Sequence, residues 1–305
     1  MSEYAISADR IALTAGDFHF DVRDVGFRRG LLSAIVGPNG SGKSTLIEAL
    51  LGFRTARLDN ARILGVPAHR FMADVKHLRR MGTQLQRVEY ADDARVEEIL
   101  DLHRALYRRQ NPAIAEALGL DELRKKPYRG LSKGQRQRLD LFVALGHEPE
   151  LMILDEPFTG LDKTYAGRLV ALLKDGFGDA TIVMICHSGE ELAAADDLLW
   201  VHDGTVRYRG NRSALKENLV GQYRTRILLE SEDQQTRVRA LLAAAPGVLR
   251  VASRCNTLDV QAFGGDGLDA VVRGLMESAH IRHFEFAPTD DADLLRVCTQ
   301  TEAHV

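Results

Sequence analysis

Apolar and polar positions along the chain change period several times, and each change marks an element. Across residues 11–27 they alternate, with Phe18, Phe20 and Val22 against His19, Asp21 and Arg23. This predicts antiparallel strands running into a turn at residues 28–30. Residues 31–36 form a short continuous apolar run, and Leu46, Ile47 and Leu50 then recur at helical spacing. Residues 63–66 predict a short strand stopped at Pro67. The basic patch at residues 76–80 reads as a solvated helix face, and residues 81–86 as a strand with a glutamine at its end. From residue 87 to 127 the period is helical, with Ile99, Leu102 and Leu106 on one face and a second short segment at 113–123. Ser132 stands at an N-cap position before a helix whose apolar face is Leu139, Phe142, Val143 and Leu145, and Gly146 and Pro149 end it. Residues 151–154 and 181–186 are too short for buried helices and suit buried parallel strands, with a helix at 163–174 between them. Residues 198–202 and 205–209 predict a hairpin about Asp203 and Gly204.

Beyond about Gln222 the order becomes βαββαβα, with one turn placed at Asn256, which suggests a split βαβ, ferredoxin-like unit. The expected organisation is therefore two domains. Residues 1–222 form an α/β domain, with a mainly parallel sheet, an antiparallel β part and an inserted helical part at about 87–145. Residues 223–305 form a small α+β domain.

Composition narrows the function classes. In 305 residues, 40 Lys and Arg against 43 Asp and Glu give a net charge of −3, with no electrostatic footprint for general nucleic-acid binding. The amino terminus lacks the apolar core of a signal peptide, and no run approaches a membrane span, so an intracellular chain is expected. Cys186, Cys255 and Cys298 form no CxxC or Cys/His ligand cluster, so reduced thiols and no zinc site are expected.

The chemistry begins between the apolar run and the first helix. Gly37, Pro38, Asn39, Gly40, Ser41, Gly42, Lys43, Ser44 and Thr45 fit GxxxxGK[ST] between a strand and a helix, the context this motif requires. Glycines let backbone N–H groups converge on a polyanion, the helix N-terminus adds unpaired donors, and Lys43 supplies a full charge for outer phosphates. Ser44 is then the expected hydroxyl ligand of Mg2+. Asp155 and Glu156 end one buried strand and His187 follows another, where open α/β sheets bind ligands. A carboxylate or a histidine at a strand end is ordinary taken singly; with a phosphate loop in the same chain the functional reading prevails.

Order and spacing then carry a resemblance. LSKGQ at residues 131–135 lies twenty residues before Asp155, and Asp162 and His187 follow. With the phosphate loop, this run resembles the ATP-binding cassette (ABC) family over residues 1 to about 220. The resemblance implies a P-loop ATPase using ATP and Mg2+, with Gly37 to Thr45 as the cradle and Ser44 and Asp155 as metal partners. Glu156 is implied as the general base, His187 as the contact to the γ-phosphate, and Asp162 as the coupler of paired sites. Gln86 is implied as the sensor of metal and lytic water, with Gln84 the second candidate. Ser132, Gly134 and Gln135 would face ATP held by another cassette. The implied assembly is a homodimer, the preferred reading, or a heterodimer with a similar chain.

Two departures stand out. Lys133 replaces the family's usual glycine, with the side chain expected to face outward. Ala15 falls where an adenine-stacking aromatic is common, leaving Phe18 as a substitute or a loosely held base, and weak discrimination between ATP and GTP is expected. The tail, which contains PTDDADLLRVC, is similar to that of bacterial export ATPases whose permease is a separate polypeptide, docking near residues 87–107. The resemblance thus implies the ATPase subunit of an exporter, peripheral on the cytoplasmic membrane face, with a permease and no nucleic acid as partner. The alternatives are a soluble ABC ATPase acting on ribosomes or DNA, and a regulatory module that binds ATP without turnover.

Overall fold

Two long strands, β1 (Tyr4–Ala15) and β2 (Phe18–Arg28), pair antiparallel along their length, with Ala15 opposite Phe18 at the hairpin end. The structure, a computed structural model, describes residues 3–15, 18–85, 90–229, 232–253, 259–265, 268–278 and 281–300. Then come β3 (Leu32–Val36), α1 (Lys43–Leu50), β4 (Arg57–Asp59), β5 (Arg62–Ile63) and β6 (Val66–Pro67). β4 and β5 both pair with β1, so the predicted antiparallel part is a sheet of β2-β1-β5-β6 with β4 beside it. Residues 63–66, expected as one strand, contribute to two, because Leu64 takes a φ of 48° and turns the chain.

The chain continues through α2 (Ala68–Ala73), α3 (Val75–Leu78), β7 (Met81–Gln84), α4 (Val96–Tyr107), α5 (Pro112–Ala117), α6 (Lys133–Leu145), β8 (Leu151–Asp155), α7 (Lys163–Asp175), β9 (Thr181–Ile185), α8 (Gly189–Ala193), β10 (Asp197–His202) and β11 (Thr205–Asn211). The second sheet runs β11-β10-β3-β9-β8-β7 and is parallel from β10 to β7. Every residue of β3 and β9 is buried, as expected of strands covered on both faces. Caps fix where the helices begin. Asn111 accepts from Ala113 N ahead of Pro112, Ser132 opens α6, and Asp162 Oδ1 accepts from Thr164 N and Tyr165 N, both at 3.0 Å.

One helical face differs from expectation. Ile99 is buried in α4 together with Val96, Leu100 and His103, but Leu102 and Leu106 are each 53% exposed. The i, i+3, i+7 pattern is present, yet the face that packs is centred near His103, roughly a fifth to a third of a turn from the two leucines.

The chain divides into two compact units, Met1–Arg209 and Gly210–Val305. The second holds α9 (Arg212–Val220), β12 (Tyr223–Leu229), α10 (Glu232–Ala243), β13 (Val248–Ser253), β14 (Asp259–Gly264), α11 (Leu268–Ser278), β15 (Ile281–Pro288) and α12 (Asp291–Thr299). Its sheet is antiparallel in the order β13-β14-β12-β15. First and third strands at the centre define the split βαβ, ferredoxin-like arrangement. Ile227, Leu229 and Ala262 pack against Val238, Leu242, Leu268 and Val272, so α10 and α11 cover one face. On the other, Phe263 meets Val220 and Val297. The turn expected at Asn256, and Cys255 beside it, lie outside the described residues.

Candidate active site

The parallel sheet brings three strand ends together. β3 runs into the phosphate loop, β8 ends at Asp155, and His187 follows β9, which lies between them. Ser44, in the first turn of α1, donates its hydroxyl to Asp155 Oδ2 at 3.1 Å across that edge. Lys43 is only 7% exposed and folds back on its own loop, donating from Nζ to Gly37 O and Pro38 O at 2.9 Å each. Burial lowers the pKa of this ammonium, while the charges of Asp155 and Glu156 oppose the shift. Burial raises the pKa of Asp155, and the neighbouring Glu156 pushes the same way. The Ser44 hydrogen bond, His187 and Lys43 oppose it.

Glu156 is held from two sides. His187 Nε2 lies 3.2 Å from its Oε1, and Thr159 donates its hydroxyl to Oε2 at 3.1 Å. Its φ is 51°, a left-handed value uncommon for a residue with a side chain. His187 is set in turn by Glu191, whose Oε2 accepts from His187 N at 2.7 Å and closes a capping box with Ser188. Phe18, Asn39, Lys43, Thr45, Glu156 and His187 line an open cleft of about 480 Å³. Phe18 stacks on Phe20 with ring centroids 6.2 Å apart. It is the phenyl ring among the described residues that line this cleft, and it stands opposite Ala15 in the hairpin.

Ser132, Gly134, Gln135 and Asp162 do not join that cleft. With Arg138 and Tyr165 they line a separate one of about 220 Å³. Ser132 Oγ accepts from Gln135 N at 3.3 Å and Gln135 Oε1 accepts from Ser132 N at 3.1 Å, so the LSKGQ segment is a reciprocal helix cap. The Lys133 chain lies over Gly160, its Cγ 3.4 Å from where a β-carbon there would sit. Gln86 lies outside the described residues, and Gln84 ends β7 half-buried. Among the described residues no group of three or more His, Cys, Asp and Glu could hold a metal, and no helix is long and apolar enough to cross a membrane.

Sequence reasoning missed Thr159 and Glu191. The S-x-x-E spacing of Ser188 and Glu191 was a readable signal; Thr159 acts through a loop geometry that has none.

A phosphate loop entering a helix from a parallel sheet, with an acidic strand end beside it, defines a P-loop nucleoside-triphosphatase fold. Comparison with known proteins narrows this class. The ABC transporter family matches residues 21–159. The zinc import ATP-binding protein ZnuC of Paracoccus denitrificans (strain Pd 1222) is 33% identical over 192 residues, covering 62% of this chain and 71% of that protein. The Nod factor export ATP-binding protein I of Ralstonia nicotianae (strain GMI1000) is 29% identical over 265 residues, covering 82% and 79%. A solved ATP-binding subunit of an ABC transporter superposes with a TM-score of 0.61 at 24% identity, over 70% of this chain and 92% of that one. The chain belongs to the ABC transporter family: it is an ATP-binding subunit and an ATPase. Subunits of this kind work with membrane permease components.

Proposed function

We propose that this chain is the ATP-hydrolysing motor of an exporter whose permease is a separate polypeptide, acting as a cassette dimer, preferably a homodimer, on the cytoplasmic face of a bacterial membrane. The observation that carries the mechanism is Glu156, its carboxylate bridged between His187 and Thr159 at the mouth of the phosphate-loop cleft. A carboxylate so placed orients a water and takes its proton, while His187 contacts the outer phosphate. Lys43 leaves its two loop carbonyls for the phosphates. Ser44 and Asp155 present a hydroxyl and a carboxylate on one spot, hard oxygen donors that fit Mg2+. That ion, when bound, neutralises charge on the phosphates. Gln86 is proposed as the sensor of that ion and of the lytic water.

Ser132, Gly134 and Gln135 line a cleft of their own, which agrees with a role toward nucleotide held by a second copy. Their helix end adds a positive dipole there, and Asp162 borders the same cleft. Export is supported by the Nod factor relative. Its match covers 82% of the 305 residues, about 250, more than the 209 of the first unit, and so reaches the ferredoxin-like unit. The permease docks on α4, where Leu102 and Leu106 stand exposed. Nucleic acid is not a partner on this reading.

The test is Glu156→Gln in the purified full chain. We expect turnover to fall by at least about a hundredfold with ATP affinity retained and an ATP-bound dimer accumulating on size exclusion. Native turnover in this variant would remove Glu156 from the chemistry.

A further inference from the structure

Helix α6 carries the Ser132 cap at one end of its first turn and Gln137 on the next. Gln137 is 8% exposed and does not line the cap's cleft. Its Nε2 donates to Pro157 O at 2.9 Å and reaches Glu156 O at 3.5 Å. The same helix touches the loop of residues 156–162 a second time, because Gly134 approaches it so closely that a β-carbon there would lie 2.5 Å from Gly160 O. The loop that bears Glu156 thus meets the first turns of α6 at two points, a hydrogen bond to Pro157 O and a close backbone approach at Gly160 O.

Glu156 needs such fastening. A side-chain-bearing residue at a φ of 51° keeps that conformation only when its surroundings over-determine it. Thr159 and His187 hold the carboxylate from the front. Behind it, the Gln137 amide holds the carbonyl of Pro157, the next residue, at 2.9 Å, with Glu156 O at 3.5 Å.

We propose that Gln137 is a positioning residue that couples the two clefts of one protomer. Engagement of Ser132 and Gly134 by nucleotide on a second copy shifts the start of α6. Gln137 passes that shift through Pro157 O to the backbone next to Glu156 and aligns the carboxylate with the phosphate loop of its own chain. Each protomer's hydrolysis is thereby conditioned on the occupancy of its partner's site. This rests on Glu156 being the base.

The test uses the full chain with Gln137→Met, which keeps length and loses the donor, and Gln137→Glu, which sets an acceptor against two carbonyl oxygens. For Gln137→Met the expected result is a kcat about tenfold lower at unchanged ATP affinity, with the Hill coefficient of hydrolysis falling toward one. Gln137→Glu should lose more. In single-turnover hydrolysis, Gln137→Met added to Glu156→Gln should change the residual rate by less than about twofold, since both act through one carboxylate. A Gln137→Met kcat within about twofold of native, while Glu156→Gln is inactive, overturns the coupling and leaves the base assignment standing. A further tenfold loss on top of Glu156→Gln also overturns it, because the glutamine would then act independently of Glu156. Native turnover in Glu156→Gln would remove both readings.

Discussion

Mild acid should destabilise the first unit through two histidines that the active site does not use. His103 on α4 and His147 just beyond α6 are buried with ring centroids 5.6 Å apart. Tyr107 stacks on His147 at 3.8 Å, Phe142 lies 5.2 Å from His103, and His147 Nε2 is 3.3 Å from Met81 O. Burial pushes both imidazoles down from the ordinary 6.5 to about 4, and for His147 the neighbouring His103 and Arg109 push the same way. Arg109 is itself paired with Glu148, and Arg79 acts on Tyr107. The folded rings therefore bind protons only near pH 4, whereas the unfolded chain binds them near 6.5. Their stabilising contribution is fully present above about 6.5 and is lost as pH falls through that window toward 4. At pH 5.5 each histidine costs about 1.4 kcal/mol, so the pair costs about 2–3 kcal/mol. Coupling between the rings hardly alters this, because at pH 5.5 the folded pair is still neutral and the loss comes from the unfolded chain.

Trp200, the one tryptophan, lies in β10 of the first unit, so its fluorescence reports urea unfolding of that unit. With a slope of about 2 kcal/mol per molar urea, the midpoint should drop by about 1 M between pH 7.5 and 5.5. His103→Gln and His147→Gln should each remove about half of that pH dependence, even where they lower stability overall. An identical pH slope in the native chain and the double variant would rule out the two histidines as its source.

Arg138→Met should cost about 2–4 kcal/mol in the same assay. Its guanidinium donates to Leu118 O and Glu122 Oε1, both at 3.1 Å, and lies 3.9 Å over the Tyr165 ring. Glu122→Gln should change stability little, because that carboxylate is exposed. Phe18→Ala should remove about 1 kcal/mol of base stacking, roughly fivefold in Kd for ATP by titration calorimetry, and GTP should bind native protein comparably. A strong ATP preference unaffected by Phe18→Ala would count against that picture of the base site. Leu102→Ser with Leu106→Ser should leave stability within about 0.5 kcal/mol, since neither side chain is in the core, while lowering the share of chain that sediments with permease-containing membranes.

Local signals made most of the fold and half of the site legible. β3, the phosphate loop and α1 follow from composition and period within twenty residues, and the Ser132 cap from its own helix. The βαββαβα order was readable because strand and helix periods alternate cleanly there. Leu102 and Leu106 misled because periodicity identifies an apolar stripe without saying which part of it a neighbour covers. His187 and Glu156 are 31 residues apart in sequence, and only β9 lying beside β8 brings them to 3.2 Å. The Gln137 bond depends on where a loop carbonyl points, which no residue pattern encodes.

Gly82 in β7 has mechanical meaning for α6. A β-carbon there would overlap the Ala144 carbonyl oxygen, so the far end of the helix is pressed onto the sheet. That contact makes α6 a lever with its fulcrum near Ala144. At 1.5 Å per residue, Ser132 stands about 18 Å from the fulcrum and Gln137 about 10 Å. A tilt that carries Ser132 by 1 Å therefore moves Gln137 by about 0.6 Å, close to the roughly 0.5 Å within which a catalytic group must be held. Amide exchange should reflect this gradient, fast at residues 133–137 and slow at 141–145, with nucleotide flattening it from the cap inward.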